Sequence, residues 1–150
     1  MSAFEKAIEI AAQAHAGQLR KNGTPYILHP MRVMMKQRTK DAMIVAILHD
    51  VVEDTNVTID DLRRAGFEEC ILAAILLLTH KDKENYDYDE YIDRIASNSL
   101  ATSVKIADLE DNMNWTELPE VTERDIKRME KYHRNYKKLQ KCLKNYFLKI

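Results

Sequence analysis

The stretch Ile47-Leu48-His49-Asp50-Val51-Val52-Glu53-Asp54-Thr55 places an imidazole and three carboxylates immediately after the apolar run Ala42–Leu48. Polar groups set against a buried helix are costly unless something compensates them. If the helix continues through this stretch, Glu53 lies four residues from His49 and Asp54 four from Asp50, so all four groups crowd one helix end. Carboxylates that close repel one another unless a cation is bound. The bland alternative is a frayed acidic helix end in solvent, and the preceding run is too apolar for a surface helix.

Two other stretches supply partners. His29 precedes Pro30 at the end of the loop Gly17–Pro30, and Asp108 lies on the helical stretch Val104–Met113 with Asn112 one turn further on. His29, His49, Asp50 and Asp108 form a mixed nitrogen and oxygen ligand set, harder than the thiolate sites of structural zinc. Such a set leaves room for water in an octahedral shell and favours Mn²⁺ or Fe²⁺. A metal lowers the pKa of its water; Glu53 and Asp54, one turn beyond, can orient or deprotonate that water or protonate a leaving alkoxide. Arg20 and Lys21, at the other end of the loop, suit an anionic phosphate. Together these parts specify metal-assisted hydrolysis of a phosphate ester, and no P-loop, nucleophile elbow or Gly-rich dinucleotide loop competes. The bland reading of Asp108 is an exposed acidic patch shared with Glu110 and Asp111. That of His15, on the apolar face of the first helix, is a hydrogen-bonded core group.

The elements that must position these residues read as helices throughout. Phe4, Ile8, Ala11 and His15 give a first helix over Ala3–Ala16, stopped by Gly17. Pro30 suits the first position of a second helix, roughly Met31–Lys36, with His29 at its cap. Thr39–Val52 carries the central stretch, and Thr58 with Asp61 opens a short helix that Gly66 closes. Glu68–Leu78 is the next helix, and its Ile71–Leu78 is apolar all round, as the central helix of a bundle should be. Thr79–Asp89, with Tyr86 and Tyr88, reads as a mobile polar connection, after which Asp89 caps a helix through Ser97. Another helix runs from Ser99 to Met113, and Pro119 and Thr122 open a long last one. Its seam of Met129, Tyr132, Tyr136, Leu139, Leu143, Tyr146 and Ile150 suits either a homodimer or docking on its own domain. Docking is favoured, because a bundle must cover its other helices. The expected fold is an all-α bundle with a long C-terminal helix.

Composition agrees: 45% hydrophobic residues with three Gly and three Pro describe one helix-rich domain over residues 1–150. Cys70 and Cys142 form no ligand motif and read as reduced thiols of a cytoplasmic protein. Glu5, Lys6 and Glu9 break any signal-peptide pattern, and the longest apolar run, Ile71–Leu78, is far short of the ~20 residues a membrane span needs. From Arg124 onward ten Lys or Arg face only Asp125 and Glu130. That excess is either a basic surface for a phosphorylated ligand or nucleic acid, or the solvated side of an amphipathic helix. The second is favoured, as no aromatic-interleaved basic cluster accompanies it, so neither nucleic acid nor membrane is an expected partner.

The segments His15-Ala16-Gly17-Gln18-Leu19-Arg20-Lys21, Gly23-Thr24-Pro25-Tyr26-Ile27-Leu28-His29-Pro30, Leu48-His49-Asp50-Val51-Val52-Glu53-Asp54-Thr55, and Lys105-Ile106-Ala107-Asp108 with Asn112-Met113 resemble, in order, the hydrolase domain of RelA/SpoT-type proteins. These belong to the HD phosphohydrolase superfamily, and the likeness covers most of Phe4–Met113. It implies an HD-domain bundle with Mn²⁺ held by His29, His49, Asp50 and Asp108. It further implies Glu53 and Asp54 as the catalytic pair and Arg20, Lys21 and Asn112 on the nucleotide. The implied reaction removes the 3′-diphosphate from guanosine tetra- or pentaphosphate, giving GDP or GTP and pyrophosphate, and a chain of this length resembles a stand-alone small alarmone hydrolase. Asn114-Trp115 stand where the family has Arg-Thr. That departure opens two alternatives: hydrolysis of another phosphorylated nucleotide, or a nucleotide-sensing module without turnover.

Overall fold

The computed structural model describes residues 1–80 and 87–148. Most of the polar connection, residues 81–86, and Ile150 of the C-terminal seam lie outside the described residues. Among those described, the chain forms α1 (Ala3–Ala14), α2 (Leu28–Met35), α3 (Lys40–Leu48), α4 (Val51–Asp54), α5 (Ile59–Arg64), α6 (Glu69–Leu78), α7 (Tyr88–Ala96), α8 (Ser99–Asn112), a 3₁₀ turn (Trp115–Glu117) and α9 (Glu123–Leu148). No strand occurs among them, and the fold is all-α.

The centre of the bundle is α3. Ala42 and every residue from Ile44 to Leu48 are buried, and α1, α2, α6 and α8 all pack around it. A helix apolar on every side has to be enclosed in this way. The expectation that Ile71–Leu78 is the central helix is corrected. α6 buries Ile71, Leu72, Ala74, Ile75 and Leu78 but leaves Leu76 50% exposed, because it flanks α3 rather than passing through the middle. α6 is the more apolar of the two, so composition alone does not say which one is surrounded.

Several boundaries follow from local chemistry. Thr58 and Asp61 form a reciprocal capping box at the start of α5. At its end Gly66, with φ of 97°, lets the Gly66 and Phe67 amides bond back to the Arg63 and Leu62 carbonyls in a Schellman turn. α7 is capped by Asp87, whose side chain accepts from the Asp89 and Glu90 amides, so Asp89 sits in the first turn and not at the cap. α2 likewise starts earlier than expected, at Leu28. Pro30 occupies its third position, still within the first turn, where a missing N–H removes no intrahelical bond. His29 therefore lies inside the helix and points inward.

The expected continuous helix Thr39–Val52 is broken at His49–Asp50. The Ala46 carbonyl accepts the His49 amide at 3.4 Å and the His49 ring Nδ1 at 2.5 Å. The side chain thus takes the acceptor that the next helical turn would use, and the chain bends before resuming as α4.

In α9, Met129 and Leu139 are buried and Tyr132 and Tyr136 pack against the core. Tyr146 donates its hydroxyl to the Ala96 carbonyl at 2.6 Å. The helix lies on α7 and α8, so this seam faces its own domain. None of the described helices is long and apolar enough to cross a membrane.

Candidate active site

Three separated parts of the chain meet beneath a cavity of about 660 Å³. α2 brings His29, the α3–α4 bend brings His49 and Asp50, and α8 brings Asp108. One ligand atom from each of the four lies within 4.8 Å of the others. His29 Nε2 is 2.9 Å from Asp108 Oδ1 and 3.6 Å from Asp50 Oδ2, while His49 Nε2 is 3.1 Å from Asp50 Oδ2 and 3.3 Å from Asp108 Oδ1. His49 Nε2 is fully buried and makes no well-aligned hydrogen bond, although its ring is anchored through Nδ1. A neutral imidazole held this way turns a lone pair toward two carboxylates, which is repulsive without a positive charge between them. The donor set therefore fits a divalent cation.

The carboxylates draw positive charge to this point, onto the rings themselves as well. Burial opposes ionisation of both imidazoles, yet Asp108 and Asp111 hold His29, and Asp50 and Asp108 hold His49, above the ordinary histidine value. Burial likewise opposes the Asp50 and Asp108 charges. His49 nonetheless pulls Asp50 below the usual carboxylate range, and Lys105 with the two histidines does the same for Asp108. Lys105 is buried and bonds Asp108 Oδ2 at 2.8 Å, with the Tyr91 ring centre 5.2 Å from its ammonium.

Glu53 and Asp54 sit on α4 beside Asp50, the three offering ligand atoms within 4.8 Å of one another. They differ in exposure. Glu53 is half-buried and accepts the His80 amide at 2.9 Å, and burial pushes its carboxyl up to about 7, with Asp50 and Asp54 adding to the effect. Asp54 is exposed. Tyr26 donates to Asp50 Oδ2 at 2.5 Å, and burial together with Asp50 and Asp54 raises its phenol far above the ordinary value.

Arg20, Lys21 and Asn112 all line the cavity. Arg20 and Asn112, however, are already engaged. Arg20 bonds Asp111 at 3.0 Å and Asn112 Oδ1 at 3.1 Å, and Asn112 Nδ2 donates to Asp108 Oδ1 at 3.2 Å. The acidic patch offered as the alternative for Asp108 does not form, since Glu110 alone of the three is exposed. His15 is a core group, its Nδ1 2.9 Å from Gln18 Oε1.

The sequence reading missed Tyr26, Arg32, His80, Lys105 and Asp111. Lys105 and Asp111 flank Asp108 at i−3 and i+3, so helical spacing could have found them. It also assigned the basic side of the last helix to solvent. Lys137, Lys138, Lys141 and Lys144 are on the surface, but Arg124, Lys131 and Tyr132 line the cavity. Arg124, Arg128 and Tyr132 step by four, a row visible in the sequence once α9 is docked.

No protein-family model matches the chain. It is 46% identical over 74 residues to the guanosine-3′,5′-bis(diphosphate) 3′-pyrophosphohydrolase of Borreliella burgdorferi, covering 47% of this chain and 11% of that protein. The protein of the same name from Aquifex aeolicus is 29% identical over 119 residues, with 73% of this chain and 17% of that one covered. The chain thus spans 17% or less of the length of these relatives. A solved structure, described as a metazoan ortholog of SpoT that hydrolyses ppGpp and plays a role in starvation responses, superposes with a TM-score of 0.73 at 24% identity. It covers 95% of this chain and 86% of its own. The ordered motifs and the relatives make this chain a RelA/SpoT-type domain, and the solved structure shares its fold.

Proposed function

We propose that residues 1–150 act as a single-domain, Mn²⁺-dependent 3′-pyrophosphohydrolase that converts guanosine tetra- or pentaphosphate to GDP or GTP and pyrophosphate. The observation that carries this is the convergence of His29, His49, Asp50 and Asp108 within 4.8 Å, next to a half-buried Glu53. These four side chains would hold the cation, whose chemistry when bound is to acidify water and to draw charge from a phosphoryl oxygen. Two imidazoles with two carboxylates suit Mn²⁺ or Fe²⁺, and affinity order alone does not choose manganese.

Glu53 does the proton work. With its carboxyl at about 7 it can take a proton from the attacking water and return one to the leaving oxygen near neutral pH, and the His80 amide fixes which oxygen is free. Asp54, exposed at the cavity, assists by orienting water. Lys21, Arg124 and Lys131 line the same cavity and supply positive charge for the phosphates, with Tyr132 as an aromatic wall. A neighbouring cavity of about 360 Å³ shares Arg20, Lys21, Tyr26, Asn112 and Tyr132 and receives the nucleoside. A free nucleotide substrate implies a cytoplasmic enzyme.

One observation favours a second reading, hydrolysis of a different phosphorylated nucleotide. Asn114, which lines the smaller cavity, uses its carboxamide oxygen to accept the Thr116 amide and hydroxyl at 3.1 and 2.6 Å, so only its NH₂ faces a base. The test is pyrophosphate release from guanosine tetraphosphate with added Mn²⁺. Release from other phosphorylated nucleotides but not from this one selects the second reading. Binding without turnover of any would leave a sensing module.

A further inference from the structure

We propose that Asp111 is a positioning residue of this centre. Clamped by Arg32 and Arg20, its carboxylate accepts the Nδ1–H of His29 and so presents His29 Nε2 as a lone-pair donor beside Asp50 and Asp108. The inference rests on the cation-binding reading of the same four side chains and goes beyond it to a residue that the ligand motif does not contain.

Asp111 Oδ2 lies 2.6 Å from His29 Nδ1. The Arg32 guanidinium forks across the carboxylate, with Nε 2.7 Å from Oδ1 and Nη2 3.0 Å from Oδ2, and Arg20 Nη1 adds a contact to Oδ2 at 3.0 Å. Four donors thus converge on one carboxylate, three of them on Oδ2 and one on Oδ1. Glu117 joins both arginines, at 3.5 Å to Arg20 and 3.6 Å to Arg32, and closes the group. A neutral imidazole whose Nδ1 faces an acceptor carries its proton there, which leaves Nε2 bare. His49 reaches the same state through the Ala46 carbonyl. The two histidines therefore share an orientation rule but use different acceptors, one from the backbone and one a carboxylate.

The arginines have a second consequence. Asp111 is three residues from Asp108 on α8, close enough to compete for a cation if its carboxylate could turn. The bidentate grip of Arg32 fixes it instead on the far side of the His29 ring. Arg20 also bonds Asn112, which bonds Asp108, so the loop that lines the cavity is tied to α8, the element that carries Asp108.

The test measures Mn²⁺ affinity by calorimetry and the histidine ring nitrogens by ¹⁵N NMR of the diamagnetic Zn²⁺-loaded protein, for wild type, Asp111→Asn, Asp111→Glu and Arg32→Gln. Asp111→Asn should weaken Mn²⁺ binding about 10- to 100-fold, the range for loss of a partner behind a metal ligand, and shift the His29 nitrogens away from the Nδ1–H pattern. Asp111→Glu, which keeps the charge, should recover part of the affinity. Arg32→Gln, at a side chain 41% exposed, should fold normally and lose affinity in the same direction by less, because Arg20 still holds Asp111. If circular dichroism shows Asp111→Asn to be unfolded, Arg32→Gln decides: undiminished Mn²⁺ affinity overturns the clamp. Wild-type binding with Asp111→Asn equally tight and its His29 nitrogens unmoved overturns the clamp and leaves the centre standing, even if the melting temperature falls. Failure of wild type to bind Mn²⁺ removes both.

Discussion

Glu53→Gln should abolish most turnover and at the same time make the metal-free protein more stable. Burial lifts the Glu53 carboxyl from its ordinary 4.5 to about 7. At 1.36 kcal/mol per tenfold in proton affinity, that rise withholds at most about 3 kcal/mol of folding stability. The sign follows from which state keeps the proton. Below pH 4.5 both folded and unfolded chains are protonated and nothing is lost. Between 4.5 and about 7 the unfolded chain has released a proton that the folded chain retains, so stability falls as pH rises through this window and levels off above it. Glutamine cannot ionise, yet its carboxamide oxygen can still accept the His80 amide now held at 2.9 Å. Urea titrations of chelator-treated protein should therefore show wild type and variant equal near pH 4 and the variant ahead by about 1–3 kcal/mol at pH 8. Turnover with Mn²⁺ should drop about 10²- to 10⁴-fold, the usual contribution of a positioned acid or base. Wild-type turnover should fall on the acid side of pH 7. A variant that turns over like wild type would refute the proton role, and a stability difference that does not grow between pH 4 and 8 would refute the burial argument behind it.

Other perturbations probe the remaining parts. Asp108→Ala should lose Mn²⁺ binding and activity together. It should also lower stability by about 3–5 kcal/mol in urea, because Lys105 is left buried without its partner. Lys21→Ala should raise KM with kcat nearly kept, whereas Arg20→Ala should raise KM and also weaken Mn²⁺ binding in calorimetry, since Arg20 holds Asp111 and Asn112. Chelation should stop pyrophosphate release and lower the melting temperature, both restored by Mn²⁺, with about 2.7 kcal/mol regained at a hundredfold excess over Kd. Leu139→Ala, at a fully buried position on the inner face of α9, should cost about 2–5 kcal/mol in urea and leave Mn²⁺ affinity unchanged.

Much of the site was legible before any folding, because its signals are local. A His-Asp pair at the end of an apolar run, a histidine beside a proline and an aspartate on a helix are anomalies of burial that residue type alone exposes. Caps and stops such as Thr58 with Asp61, and Gly66, are likewise set by neighbours a turn away. The chain by itself thus determined that it is helical, roughly where its helices lie and which four side chains had reason to meet.

What it left open is everything that depends on residues far apart. Whether α3 or α6 is enclosed turns on how much of each neighbours cover, since the more apolar of the two, α6, is the one left partly exposed. The bend at His49–Asp50 exists because a ring nitrogen takes the Ala46 carbonyl, which a periodic pattern does not register. Asp111 reaches His29 across 82 residues, and the α9 cations reach the cavity only after that helix docks. Charges on a helix face read as solvated until packing supplies a partner, so tertiary structure alone decided which of them belong to the chemistry.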